Sequence, residues 1–296
     1  MLQTIEYKLA NFKVRCSMIS VACSESKASA QLTELQKGKL KELSSKENIT
    51  EKQKDELALL IEKEKNSKEI ILSDGYIGYL MDEYAYITEG MIGIDNFEGL
   101  QMINGTLVEA DSLIALREAE NKSYMPNIND KGEQEPIFND YLSGRPDAYL
   151  GKSLMEAEEI PDIKSSFDYP SFLKKIHTGL TKANRMQVQG YMCITGAPIG
   201  FIVDCLSNTH ETVIDGLKWK LLRQLQGVVA TEESEEFKKE WAIIEQSTKF
   251  DHIPAKLRVN KKAVLPFTEF EQQFLYDQVK KGRDFMSRFY ETRKNI

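Results

Sequence analysis

"SGRPDAYLGKSLMEAEEIPDIKSS" occupies Ser143–Ser166. It holds two short β-prone runs, PDAYLG and IPDIKSS, parted by Gly151 and a polar stretch. On a strand, residues two apart share a face about 7 Å apart, so Asp162 and Lys164 point one way while Ile163 points to the core. With PDAYLG as the neighbouring strand, Asp147 at its start approaches Asp162 across a gap of about 4.8 Å. Two carboxylates at that range resist ionising together unless a cation intervenes. Mg²⁺ answers that demand with oxygen ligands: one or two carboxylates, several waters and a substrate phosphate.

Working outward, IFNDYLSG supplies a third β-prone run, and the three together read as an antiparallel meander. Upstream, GTLVEADSLIALREAE reads as a helix beginning near Gly105, with Glu109, Leu113 and Leu116 on one face. Downstream, helices are expected over about Tyr169–Thr178 and Lys182–Thr195, then a buried strand in GFIVDCLSNT, then three helical patterns ending near Lys294. Toward the amino terminus, IILSDGYIGYLMDEYAY reads as a helix from Ile70. The Lys/Glu/Leu-rich stretch from Ala28 to Lys68 reads as a helical hairpin broken at Asn48–Thr50, with Thr50 and Gln53 forming a capping box. NKSYMPNINDKGEQEP, polar and containing Pro and Gly, is the expected mobile loop. The pattern predicts an α/β protein: residues 1–100 a helical extension, residues 101–296 a core of central sheet and flanking helices with further helices at its end.

The chain has 296 residues, 41% hydrophobic and 29% charged, enough to bury a core without covalent staples. Cys16, Cys23, Cys193, Cys205, His177, His210 and His252 show no CxxC or HxxxH spacing, which argues against a structural zinc or iron-sulfur cluster and for reduced, buried thiols. The amino terminus, MLQTIEYKLANFKVRC, lacks the uninterrupted apolar core of a secretion signal and no stretch approaches the length of a membrane span, so the expectation is a soluble, cytoplasmic protein. A net charge of −7 does not advertise nucleic-acid binding. Basic density is nevertheless local: KSSFDYPSFLKKIHTGLTKANR carries Lys174, Lys175, Lys182 and Arg185 beside the proposed site, the sort of patch that neutralises phosphates without reading sequence.

Taken with RMQVQGYMCITG, the GRPDAYLG and IPDIKSS motifs resemble the PD-(D/E)XK nuclease superfamily, and within it the phage recombination exonucleases grouped with YqaJ and lambda exonuclease. The resemblance spans roughly Gly105 to Thr209. It implies a restriction-endonuclease-like core and a site in which Asp147, Asp162 and the carbonyl of Ile163 hold Mg²⁺, with Mn²⁺ as a substitute, and Glu109 completes the set. Lys164 would stand beside the attacking water, and Gln187 would orient the lysine, water or phosphate from the facing helix. Tyr191, on nearly the same helical face, joins the basic residues as a DNA contact, whereas Gln189 is expected to be structural. The implied activity is digestion of linear double-stranded DNA from its ends, 5′ to 3′, exposing single strand for a RecT-like single-strand annealing protein. Homo-oligomers and a phage or prophage origin in a bacterial host follow from the same resemblance. Two rivals stand beside it: a related endonuclease of repair or defence, and a nuclease-like fold that only binds DNA or a partner.

Overall fold

A computed structural model describes residues 3–24, 32, 34–46, 49–66, 72–93, 99–225 and 231–295. Ala28, Asn48, Lys68, Ile70 and Ile71, where the expected hairpin and the following helix have their limits, lie outside those residues. The first elements are α1 (Ile5–Ala10), β1 (Val14–Arg15), α2 (Ile19–Ala22), α3 (Glu34–Ser45), α4 (Glu51–Asn66) and α5 (Asp74–Glu89). Next come α6 (Leu100–Leu107), α7 (Glu109–Glu120), β2 (Met125–Pro126), β3 (Ile137–Phe138), β4 (Leu142–Gly144), β5 (Ala148–Gly151) and β6 (Ala157–Ser166). The chain ends with α8 (Tyr169–Thr178), α9 (Lys182–Thr195), β7 (Ile199–Leu206), α10 (Glu211–Gln224), α11 (Glu235–Gln246), β8 (Val259–Val264) and α12 (Glu269–Lys294).

Two compact units emerge, one from Met1–Val14, Met18–Gly93 and Thr268–Ile296, the other from Arg15–Ser17 and Ile94–Phe267. In the first, α12 packs on α1 and α5. The Tyr76 hydroxyl donates to the Gln278 carbonyl at 3.3 Å, and Lys294 pairs with Glu6 at 2.6 Å. Between α3 and α4, Leu32, Leu43 and Leu60 form a small apolar cluster. The Thr50 backbone N–H donates to Gln53 Oε1 at 3.0 Å while the Thr50 hydroxyl accepts from the Gln53 N–H, closing the capping box.

The second unit is built on a mixed sheet in the order β2-β5-β6-β7-β8, in which β6 and β7 run parallel and the other pairs antiparallel. One face carries Ala148, Ile163, Val203 and Cys205 against Leu113 and Leu116 of α7. The other sets Ile202 and Val264 against Val188 and Met192 of α9. The alternation of β6 therefore assigns Ile163 to the α7 side and Asp162 and Lys164 to the α9 side.

Three expectations change here. The meander breaks after its first run: β3 and β4 form a separate hairpin, with Ile137 paired to Gly144, and only β5 and β6 pair as expected. Asn139 causes the break, because its Oδ1 accepts from the N–H groups of Tyr141 and Leu142 and turns the chain at once. The helix expected from Gly105 is two helices that meet at Val108, which puts Glu109 in the first turn of α7. The segment expected to be mobile is pinned instead. Buried Asn127 donates from Nδ2 to the carbonyls of Glu135 and Pro146, and Ile128 bridges to Gln134. β8 was not anticipated at all.

Candidate active site

Asp162 is fully buried in the middle of β6. Its Oδ1 accepts from Gln187 Nε2 at 3.1 Å, and its Oδ2 lies 2.8 Å from Lys164 Nζ yet receives no directed hydrogen bond. Asp147 stands just before β5 with its Oδ2 accepting the Ile163 backbone N–H at 2.6 Å. The pairing of Leu150 with Glu159, continued back along β5, sets Asp147 opposite Asp162. Glu109 reaches the same place from α7, held by Gln134 Nε2 at 2.8 Å. Two clefts meet at Glu109 and Ile163: one of about 940 Å³ shared with Gln134, Arg145 and Asp147, one of about 630 Å³ shared with Lys164, Phe167 and Lys175.

Each carboxylate feels the others. Burial raises the pKa of Asp147 well above the usual range, and the charges of Asp162 and Glu109 push it further; Lys164 and the Ile163 N–H offset part of this. Burial also raises Asp162 against the pull of Lys164, and raises Glu109 against the Gln134 hydrogen bond. For Lys164 burial alone would lower the pKa, but Asp162 and Asp147 outweigh it and the ammonium is held above its ordinary value. Three carboxyl groups therefore face one firmly charged lysine, an acid surplus whose full ionisation burial and mutual repulsion resist.

That surplus is the test of whether a divalent cation suits these residues. Among the described residues, no three His, Cys, Asp or Glu side chains are gathered tightly enough to hold an ion as they stand, so the expected ligand cage of Glu109, Asp147, Asp162 and Ile163 is not preformed. The Lys164 ammonium stands 2.8 Å from Asp162 Oδ2. The donor set still fits, being all oxygen, short of positive charge, and including a buried Asp162 oxygen that receives no directed hydrogen bond, with the Lys164 ammonium beside it.

The remaining expected residues separate into groups. Gln187 donates to Asp162 and to the Tyr191 hydroxyl at 2.8 Å, and lies 3.5 Å from Lys164 Nζ through Oε1, so it does face the site from α9. Tyr191 is only 4% exposed and its ring fills the space left by the missing Cβ of Gly144, 2.6 Å from where that carbon would be. A DNA contact there is corrected: Tyr191 holds the Gln187 amide. Gln189 is buried and donates to the Leu265 carbonyl, a structural role. Lys174 and Lys182 are exposed on α8 and α9, and Arg185 is half-buried. Lys175 turns inward, donating to the carbonyls of Lys164 at 3.3 Å and Ser165 at 3.0 Å.

Sequence reading missed Gln134, which sat in an apparent loop with no signal to single it out. It also missed a chain of hydroxyls in which Ser112 of α7 bonds Ser165 and Ser207 at 2.8 Å each. A buried Ser three residues after Glu109 on an amphipathic helix was the available hint.

No protein-family model and no curated protein matches the chain. Solved structures do. A phage-related exonuclease from Haemophilus somnus 129PT superposes with a TM-score of 0.59 at 15% identity, over 97% of this chain and 98% of that one. The chain has the fold of these exonucleases. An alkaline exonuclease, LHK-Exo, from Laribacter hongkongensis gives 0.51 at 11% identity over 98% of this chain and 95% of that one. The same enzyme in complex with dAMP gives 0.50 at 12%, over 99% and 97%. The exonuclease fold thus extends along nearly all of the chain, well beyond the span from Gly105 to Thr209 that carries the motifs. Among the described residues no helix is long and apolar enough to cross a membrane.

Proposed function

We propose that this chain is a divalent-metal-dependent DNA exonuclease of the phage recombination type, which degrades linear double-stranded DNA 5′ to 3′. The observation that carries this reading is the convergence of Glu109, Asp147 and Asp162 on the Lys164 ammonium where two clefts meet. Asp147, Asp162 and the Ile163 carbonyl, with Glu109 directly or through water, would hold Mg²⁺ or Mn²⁺. Such an ion neutralises charge on the scissile phosphate and acidifies a coordinated water. The chain's own residues do the rest. Lys164 keeps its proton at neutral pH and offers a fixed positive charge to the developing phosphate charge. Gln187, fastened by Tyr191, keeps its carbonyl oxygen toward Lys164 and its amide toward Asp162. Lys174, Lys182 and Arg185 supply sequence-independent contacts to the DNA backbone. The exposed strand would pass to a single-strand annealing protein, and the active form would be a homo-oligomer.

Incubation with duplex labelled at either 5′ or 3′ ends, with Mg²⁺ and with EDTA, tests this. Label should be released from the 5′ end first, only with the ion present, while closed circular duplex stays intact. Cleavage of the circle would favour the endonuclease reading, and cation-independent binding without cleavage would favour the binding module.

A further inference from the structure

Lys175 does not behave as a surface cation. Its Nζ donates to two consecutive main-chain carbonyls of β6, those of Lys164 and Ser165, and it forms part of the wall of the cleft that also contains Glu109 and Lys164. These carbonyls belong to the end of the strand that carries Asp162, Ile163 and Lys164. β5 begins only at Ala148, so this end of β6 has parallel β7 beside it, with Lys164 opposite Asp204 and Ser165 opposite Cys205. An ammonium bridging two carbonyls fixes the direction of the backbone from which the Lys164 side chain springs.

The base of that strut is itself held. Lys262 of β8 pairs with buried Asp204 of β7 at 2.7 Å, and the same Nζ donates to the carbonyl of Lys175 at 2.7 Å and that of Gly179 at 3.1 Å. Asn260 adds a hydrogen bond to Asp204 at 3.3 Å. A continuous line of hydrogen bonds and ion pairs runs from β7 through β8 to the carboxyl end of α8, and from α8 back to β6. Two lysines with inward ammonium groups serve this line, while Lys174, adjacent in sequence, is exposed. Helical geometry accounts for the difference, since consecutive residues point about 100° apart and cannot both face the sheet.

We propose that Lys175 is a positioning residue for phosphodiester hydrolysis, holding the Lys164–Ser165 backbone so that the Lys164 ammonium meets the scissile phosphate. The role rests on the nuclease reading above, and it differs from a DNA-backbone contact in what its loss changes. A misplaced Lys164 lowers turnover, and displacements near 1 Å cost up to about a hundredfold. A lost phosphate contact instead raises KM and flattens the salt dependence of binding by about one unit of slope.

The experiment measures kcat, KM and the salt dependence of KM for wild type, Lys175→Met and Lys175→Arg on end-labelled linear duplex, with thermal unfolding of each. The expected result is a kcat lowered by about 10- to 100-fold in Lys175→Met, KM within about twofold and an unchanged salt slope, with partial recovery of kcat in Lys175→Arg. A raised KM with kcat intact and a shallower slope would overturn the proposal in favour of a phosphate contact, and unchanged kinetics would overturn it outright. Should Lys175→Met not fold, the kcat and salt slope of Lys175→Arg decide on the same criteria. If wild type digests no DNA with Mg²⁺ or Mn²⁺, the nuclease reading fails and the positioning role falls with it; active wild type with insensitive variants sinks the positioning role alone.

Discussion

Asp147 is where folding and chemistry oppose each other most directly. Its carboxyl is buried beside two other acids, and its pKa is raised chiefly by that burial and then by Asp162 and Glu109. A group with a raised folded pKa contributes stability fully present below its unfolded pKa, about 4, and lost as pH rises through the folded value. Asp147→Asn should therefore abolish Mg²⁺-supported DNA digestion, yet in metal-free protein it should stabilise the fold at pH 7.5 by about 1 kcal/mol, a rise of a few degrees in melting temperature, and this gain should vanish toward pH 4. The asparagine keeps an oxygen for the Ile163 N–H, which is why no compensating loss is expected. Asp162→Asn should show no such gain, because it strips Lys164 of its ion-pair partner. Differential scanning calorimetry across pH compares the two, and a destabilised Asp147→Asn at neutral pH would contradict the electrostatic picture.

At the level of elements, success and failure of sequence reading have separate causes. The bounds of α8 and α9 were readable because each is capped locally: Asp168 and Thr181 accept from the N–H groups of Ser171 and Asn184, and Gly179 and Gly196 follow with φ of 75° and 77°. The pairing of β3 with β4 was not, since short β-prone runs do not name their partners. β8 escaped for a stronger reason. Its central residues Asn260, Lys261 and Lys262 look like an exposed stretch, and only the fold supplies Glu120 and Glu159 for Lys261 and Asp204 for Lys262. Glycines divide similarly. Gly38 in α3 has open space where a Cβ would go, so Gly38→Ala should stabilise by about 0.5–1 kcal/mol. Gly144→Ala would drive a methyl into the Tyr191 ring and Cys16 Sγ, so a loss of about 1–3 kcal/mol is expected, with turnover reduced as Tyr191 and Gln187 shift. Urea denaturation of both variants provides the comparison.

For the whole molecule, a net charge of −7 conceals a long segment with no acid: between Asp168 and Asp204 there is no Asp or Glu, while Lys174, Lys175, Lys182 and Arg185 all fall there. Affinity for duplex should accordingly fall steeply with salt despite the acidic total, and Lys174→Ala or Lys182→Ala should each lower the slope of log affinity against log salt by about one. Fluorescence anisotropy at several salt concentrations measures this, and slopes unaltered in both variants would remove α8 and α9 from the DNA path. By itself the sequence determined α8 and α9 with their caps, α9 being the helix that brings Gln187, and the neighbouring runs that bear Asp147, Asp162 and Lys164, because spacing and capping are short-range properties of a chain. Only the tertiary structure decided that Glu109 opens a helix and meets Gln134, that Tyr191 serves Gln187, and that Lys175 turns inward. A buried charge or amide takes its meaning from the partner that removes it from water, and those partners lie far away along the chain.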